Sequence, residues 1–298
     1  MTMIFSDFGM DTASLAGSLD SKLAAVRSAG FSQVMISAND VVGHPLGIDA
    51  GVRAVRDSGM RVTGLEALRD FEGLDARLHA YKVDVAKSML EVCGKIGGRS
   101  LIVEASTSTH ATADADTIVR DLRMLAILAI PMRIRIAFKG VSWSRTVKDF
   151  VAAGQLVLRA NCPNLGLAID AFDVIAAGVS QGDLDAIDPE QIFLVQLSDY
   201  MWQEIRSAEE QTATAAHFRV FPGEGAHSDG LADFITKLDE IGYCGDYSFD
   251  VYNDDYLQMP PETVAVRGQR AAEWLGETVL RRALPIPNME RLRRAPHG

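Results

Sequence analysis

Short apolar runs alternate along the chain with longer stretches in which apolar residues recur every three or four positions, the pattern of repeated strand and helix units around a parallel sheet. Eight runs read as strands: MIFSDF (3–8), QVMIS (33–37), RVTGLEA (61–67), SLIVEAS (100–106), IRIAFK (134–139), LGLAID (165–170), IFLVQLSD (192–199) and YSFDVYN (247–253). Between them, SLDSKLAAVRSAG (18–30) sets Leu19, Leu23 and Val26 on one helical face and ends on Gly30 at the C-cap position. VDVAKSMLEVCGKIG (83–97) repeats the design with Val83, Ala86, Leu90 and Cys93 inward. Eight such units predict an α/β fold, a single-domain (β/α)8 TIM barrel over residues 1–284, followed by a basic, proline-bearing tail over 285–298. The long irregular stretch 200–230 exceeds a simple connection and is a candidate active-site loop.

Composition narrows the class. The 298 residues are 48% hydrophobic and 23% charged, enough for one large core. A formal net charge of -11 repels polyanions and offers no basic face, so the expected partner is a small molecule, not nucleic acid. Cys93, Cys162 and Cys244 are odd in number and far apart, which excludes a disulfide framework and a zinc knuckle and fits a reducing cytoplasm. No leader-like or membrane-spanning run occurs. GKIGGRS (94–100) follows a helix and lacks the ending of a phosphate loop, so no nucleotide site is assigned. A homo-oligomer is compatible with this composition.

A parallel barrel builds its site at the C-terminal ends of its strands, so polar residues that close apolar strands are the ones of interest. Lys139 ends the fifth strand, Asp170 the sixth, Gln196 lies in the seventh and Asp250 in the eighth. Arg69 follows the third strand; His217 and Arg219 lie in the loop after the seventh. Asn253, Asp254 and Asp255 read as a cap for a helix starting near Pro260.

These blocks resemble the xylose-isomerase-like barrels, which include sugar-phosphate isomerases and epimerases, and within them most closely the bacterial 3-dehydroshikimate dehydratases. The resemblance runs from GSLDSKLAAVRSAGF (17–31) through LRDFEG (68–73), IAFKGVSWSR (136–145), NLGLAIDAFD (164–173) and VQLSD (195–199). It is most specific in HFRVFPGEG (217–225) and GYCGDYSFDVYNDDY (242–256). It implies a divalent metal, Mn, Co, Mg or Zn, held by Glu, Asp, Gln or His, and Glu on strands five to eight. Lys139, Asp170, Gln196 and Asp250 stand at those positions. Lys139 places a cation where the resemblance implies an anion. Asp250 is one methylene shorter than glutamate, Asp173 stands in place of the family's histidine, and Met35 in place of a glutamate on strand two.

Two unit charges of like sign 4 Å apart repel by about 4 kcal/mol even at an effective dielectric near 20, and a dication roughly doubles this. The expectation is therefore that Lys139 takes the metal's place, its ammonium paired to Asp170 and Asp250, with no cofactor. A metal held by Asp170, Gln196 and Asp250, with Lys139 swung aside, is the alternative. The implied activity is that of a lyase or isomerase acting on a hydroxylated, anionic keto acid or keto-sugar by removal of a proton next to the carbonyl. Lys139 would stabilise the enolate oxygen or carry an imine, and Asp173 or Asp250 would be the base. Arg69, Arg219, Gln196 and His217 would hold the substrate. The competing reading is a catalytically silent barrel that binds or assembles.

Overall fold

The computed structural model describes residues 7–281. Eight strands close into a parallel barrel: β1 (Phe8–Asp11), β2 (Gln33–Ser37), β3 (Arg61–Arg69), β4 (Ser100–Glu104), β5 (Arg135–Lys139), β6 (Leu165–Asp170), β7 (Ile192–Leu197) and, after a small ribbon of β8 (Asp199–Tyr200) and β9 (Arg219–Val220), β10 (Asp246–Phe249). The hydrogen-bonded order is β1-β10-β7-β6-β5-β4-β3-β2, with β1 also pairing β2 to close the ring. The eightfold TIM barrel expected from the apolar runs is thus present. Among the described residues no helix is long and apolar enough to cross a membrane.

Alternation along each strand sorts its side chains between two environments. Val34, Ile36, Leu101, Val103, Ile136, Phe138, Leu167 and Ile169 point outward and pack under the surrounding helices in one continuous core. Met35, Ile102, Ala137, Ala168 and Leu194 belong to a separate small cluster that also includes Phe193. Two residues further along four of these strands stand Glu104, Lys139, Asp170 and Gln196, so an apolar floor is followed by a polar layer. Glu104 is in register with Lys139, and Asp170 with Gln196.

Two boundaries and one cap differ from expectation. The first apolar run places a strand at 3–8, of which 3–6 lie outside the described residues. The paired strand is Phe8–Asp11, because its partners on β10 and β2 engage Phe8 to Asp11. The helix expected at 83–97 begins at Ala76, since the Asp75 carboxylate caps it by accepting from the amides of Arg77 and Leu78. The C-terminal helix starts at Pro261, next to the expected Pro260, but has no side-chain cap; Asn253 instead accepts from Asp255 and Tyr256 N–H just ahead of the short turn Tyr256–Gln258. The expected tail, 285–298, lies outside the described residues.

The segment 200–230 is more ordered than a loop reading suggests. Ser207 caps a helix over Ala208–His217, and β8 pairs with β9 in antiparallel register, Asp199 opposite Val220. This brings Arg219 back across the barrel mouth.

Candidate active site

Lys139 closes β5 and is 3% exposed. Its Nζ donates to Gln196 Oε1 at 2.9 Å and lies 3.1 Å from Glu104 Oε1 and 3.6 Å from Asp170 Oδ2. Burial pulls the ammonium's pKa down, but Glu104, Asp170, Asp250 and Glu66 together outweigh it and hold it well above the ordinary lysine range. Gly140 lets this strand end come close to its neighbour, since a Cβ there would overlap the backbone of Asp149. Gly140→Ala is expected to destabilise the fold by about 1–3 kcal/mol, read as a lowered midpoint in chemical denaturation with an unchanged slope.

Arg219 is the second buried cation of the site, also 3% exposed. Its Nη1 lies 2.8 Å from Asp170 Oδ2 and 3.2 Å from Asp250 Oδ2, its Nε donates to Ala215 O, and its guanidinium carbon sits 4.5 Å over the Phe172 ring. Asn253 Nδ2 donates to the Arg219 carbonyl and pins the backbone that delivers it. Arg219, expected to hold substrate, is therefore bound first to two carboxylates of the barrel. The pairing expected for Lys139 is corrected in the same way. Asp170 is shared by both cations, Asp250 belongs to Arg219, and the nearest carboxylate of Lys139 is Glu104.

Three acids of the site were not among the expected residues. Glu104 ends β4 and bridges Lys139 to Arg69, whose Nε donates to its Oε2 at 2.6 Å. Burial raises its pKa, but Lys139 and Arg69 outweigh that and bring it down to about 2. Glu66, 4% exposed on β3, accepts from Gln196 Nε2 at 2.7 Å and from the Tyr252 hydroxyl at 3.3 Å. Asp11, at the end of β1, completes a group with Glu66 and Asp250 whose oxygens converge within 4.8 Å. Burial and then the Glu66 charge push the Asp11 carboxyl well up; the same two causes bring Asp250 to about 8 against the pull of Arg219 and Lys139. Protons on these carboxyls relieve the repulsion among the three acids.

The cavity above this layer, about 410 Å³, is lined by Arg69, Glu104, Lys139, Arg219, Asp250 and Tyr252 among others, with Thr212, Ala215 and Ala216 of the helix Ala208–His217 on one side. Arg69 lines it with a half-open side chain held by Glu104. Four expected residues do not line it. Asp170 is buried and taken up by Lys139 and Arg219, and Gln196, expected to hold substrate, is buried with its amide bonded to Lys139 and Glu66 instead. The other two are Asp173 and His217. Asp173 is turned into the loop after β5, where its Oδ1 accepts from the Ser142 amide at 2.8 Å; burial and the neighbouring Asp170 charge raise it to about 7. His217, expected at the substrate, is an exposed residue whose Nδ1 lies 3.1 Å from Asp254.

The residues at the four positions where the resemblance implies metal ligands do not fit a divalent cation. One is an ammonium. Of the other three, Gln196 gives its carbonyl oxygen to that ammonium, Asp170 Oδ2 contacts both cations, and Asp250 Oδ2 contacts Arg219. A dication among them would sit beside two fixed positive charges.

Comparison with known proteins agrees with this architecture. The chain matches the xylose isomerase-like TIM barrel family over residues 23–277. It is 31% identical over 270 residues to a 3-dehydroshikimate dehydratase of Pseudomonas aeruginosa, covering 89% of this chain and 41% of that protein. It is 27% identical over 202 residues to an inosose isomerase of Bacillus licheniformis, covering 66% of this chain and 70% of that one. The chain thus spans about two fifths of the length of the dehydratase. Among solved structures, a xylose isomerase-like TIM barrel/4-hydroxyphenylpyruvate dioxygenase fusion protein superposes with a TM-score of 0.85 at 28% identity, over 92% of this chain and 43% of that one. The IOLI protein with a binding zinc atom superposes at 0.80 with 21% identity, over 92% of this chain and 99% of that one, and shares the fold. With the family matched along most of its length and its eight parallel strands closed into a ring, this chain belongs to the xylose isomerase-like TIM barrels.

Proposed function

We propose that the chain is a lyase or isomerase acting on a small, hydroxylated, anionic ring ketone, of the dehydroshikimate or inosose type, and that the cation pair Lys139 and Arg219 serves where relatives of this fold would use a metal. The dehydratase and isomerase relatives support the substrate class. The observation that carries the metal-free reading is the position of the Lys139 ammonium, 2.9 Å from Gln196 and 3.6 Å from Asp170, with Arg219 2.8 Å from the same Asp170 oxygen.

In this reading a carboxylate takes the proton from the carbon next to the carbonyl, and the electron pair moves onto the carbonyl oxygen. Lys139 faces that oxygen as a fixed positive charge, which needs no reorganisation when the enolate forms. Collapse of the enolate then expels hydroxide from the neighbouring carbon, or the carbon is reprotonated elsewhere. Asp250 is the base because it lines the cavity, whereas Asp173 is spent on the Ser142 amide. The imine route requires a neutral amine, and the surrounding carboxylates hold Lys139 as an ammonium. Arg69, at the rim, supplies the donors for a substrate carboxylate.

The test is proton exchange. Chelator-treated protein incubated in deuterium oxide with 3-dehydroshikimate or inosose should exchange the proton next to the carbonyl, and added Mn, Co or Zn should change the rate by less than about twofold. Exchange that appears only with added metal would defeat the reading. The base assignment adds a pH dependence. Asp250 is active when ionised, so the rate should climb as pH rises and level off above about 8, the value to which burial and Glu66 bring it. Asp250→Asn should slow exchange by a factor of about 10²–10⁴ and remove that rise from the rate that remains.

A further inference from the structure

Tyr252 stands in the cavity wall beside Lys139 and Asp250, and the proposed chemistry gives it no part. Its surroundings fix the direction of its hydroxyl. Lys139 is a donor only, so Gln196 must turn its carbonyl oxygen toward the ammonium, as the 2.9 Å contact requires. The amide nitrogen of Gln196 then faces Glu66, 2.7 Å away, and the second oxygen of that carboxylate lies 3.3 Å from the Tyr252 hydroxyl. A carboxylate accepts and does not donate, so the phenol's single proton goes to Glu66. What remains toward the cavity is a lone pair.

We propose that Tyr252 is a specificity residue that accepts a hydrogen bond from a substrate hydroxyl, its polarity set by Lys139 through Gln196 and Glu66. The inference rests on the reading that the cavity takes a hydroxylated ring ketone, and it names which feature of that ring is read: a hydroxyl acting as donor. A ketone or ether oxygen at the same place would meet the phenol lone pair with another, and a deoxy carbon would leave it unpaired in a partly dry wall. Glu66 acts through Tyr252 and Gln196 and is a positioning residue. Substituting Glu66→Gln has a determinate result. Lys139 still holds the Gln196 oxygen, the Gln196 NH2 still needs an acceptor, and the new amide must give it its oxygen. The NH2 of the new side chain then faces Tyr252, so the phenol accepts there and donates into the cavity.

Calorimetric titration separates the outcomes, with 3-dehydroshikimate and inosose as probes alongside their monodeoxy and mono-O-methyl analogues. Wild-type protein should bind the parent ketone about tenfold or more tightly than the one analogue that lacks the hydroxyl read by Tyr252. Tyr252→Phe should bring that ratio to within about twofold, with KM for the parent raised and kcat changed far less. Glu66→Gln should shift preference toward the matching O-methyl ether, which keeps an acceptor and has no donor. An unchanged preference in Tyr252→Phe overturns the proposal while leaving the substrate class intact. Wild-type protein that binds none of the ring ketones overturns the substrate class, and the proposal with it.

Discussion

Replacing Lys139 by methionine should cost the fold about 3–5 kcal/mol, the usual consequence of removing one partner from a buried charge pair, and should abolish proton exchange. The unbranched side chain is only one heavy atom shorter, so little packing is lost. What is lost is the cation between the partly buried Glu104 and the fully buried Asp170. For a chain of this size such a loss lowers Tm by roughly 10 °C. The pH dependence gives the effect a sign. Glu104 titrates near 2 in the fold and near 4.5 when free, so its ionisation contributes stability that is present above about 4.5 and disappears as pH falls toward 2. The charge of Lys139 is the first of the causes that lower the Glu104 pKa, ahead of the charge of Arg69. The gap in stability between wild type and Lys139→Met should therefore be widest above pH 5 and narrow toward acid. A gap that does not change with pH would mean that the loss comes from packing and not from charge.

The double substitution Lys139→Glu with Arg219→Met should create a metal site where none is expected in the parent. Changing Lys139 alone is insufficient, because Arg219 would still contact Asp170 and Asp250. With both cations gone, the carboxylate introduced at position 139 would join Asp170, Gln196 and Asp250 to offer three carboxylates and an amide oxygen, a donor set suited to Mn, Mg or Co. The metal-free double variant should be strongly destabilised by its neighbouring acids, the three carboxylates of the new site together with Glu104, Glu66 and Asp11. Metal at a hundred times its dissociation constant would return about 2.7 kcal/mol. The expected result is an apparent affinity at least about 10³-fold above that of the parent, read as a metal-dependent rise in Tm. No rise with any of the three metals would mean that the cavity differs from a metal site in more than these two residues.

Much of this site is legible in the sequence because the side-chain period of a strand is two. Ala137 and Lys139, Ala168 and Asp170, Leu194 and Gln196 each put a small or apolar residue one layer beneath a polar one, and the polar member sits at or near the strand end. The same rule applied to SLIVEAS singles out Glu104, the last residue of β4, which the sequence reading passes over. Glu66 is visible within the third run, but its role depends on Gln196, a residue 130 positions away. Asp11 escapes because the apolar letters of MIFSDF draw the first strand several residues too early, leaving Asp11 in a loop. Arg219 reads as a loop arginine reaching for substrate. Nothing local in HFRVFPGEG says that the ribbon of β8 and β9 folds it inward onto Phe172 and two carboxylates; that follows from the return of the chain across the barrel mouth. Two buried cations rather than one is what pattern reading alone does not deliver, and it strengthens the electrostatic argument that Lys139 first raises.

The central claim, that organic cations stand where this fold's metal would sit, is tested most directly by the metal stoichiometry of the wild-type protein. The protein would be equilibrated with Mn, Co or Zn, passed through a desalting column and analysed by elemental mass spectrometry, alongside Asp170→Asn. The account predicts no retained equivalent in either protein. One tightly held equivalent in the wild type that Asp170→Asn removes would contradict it.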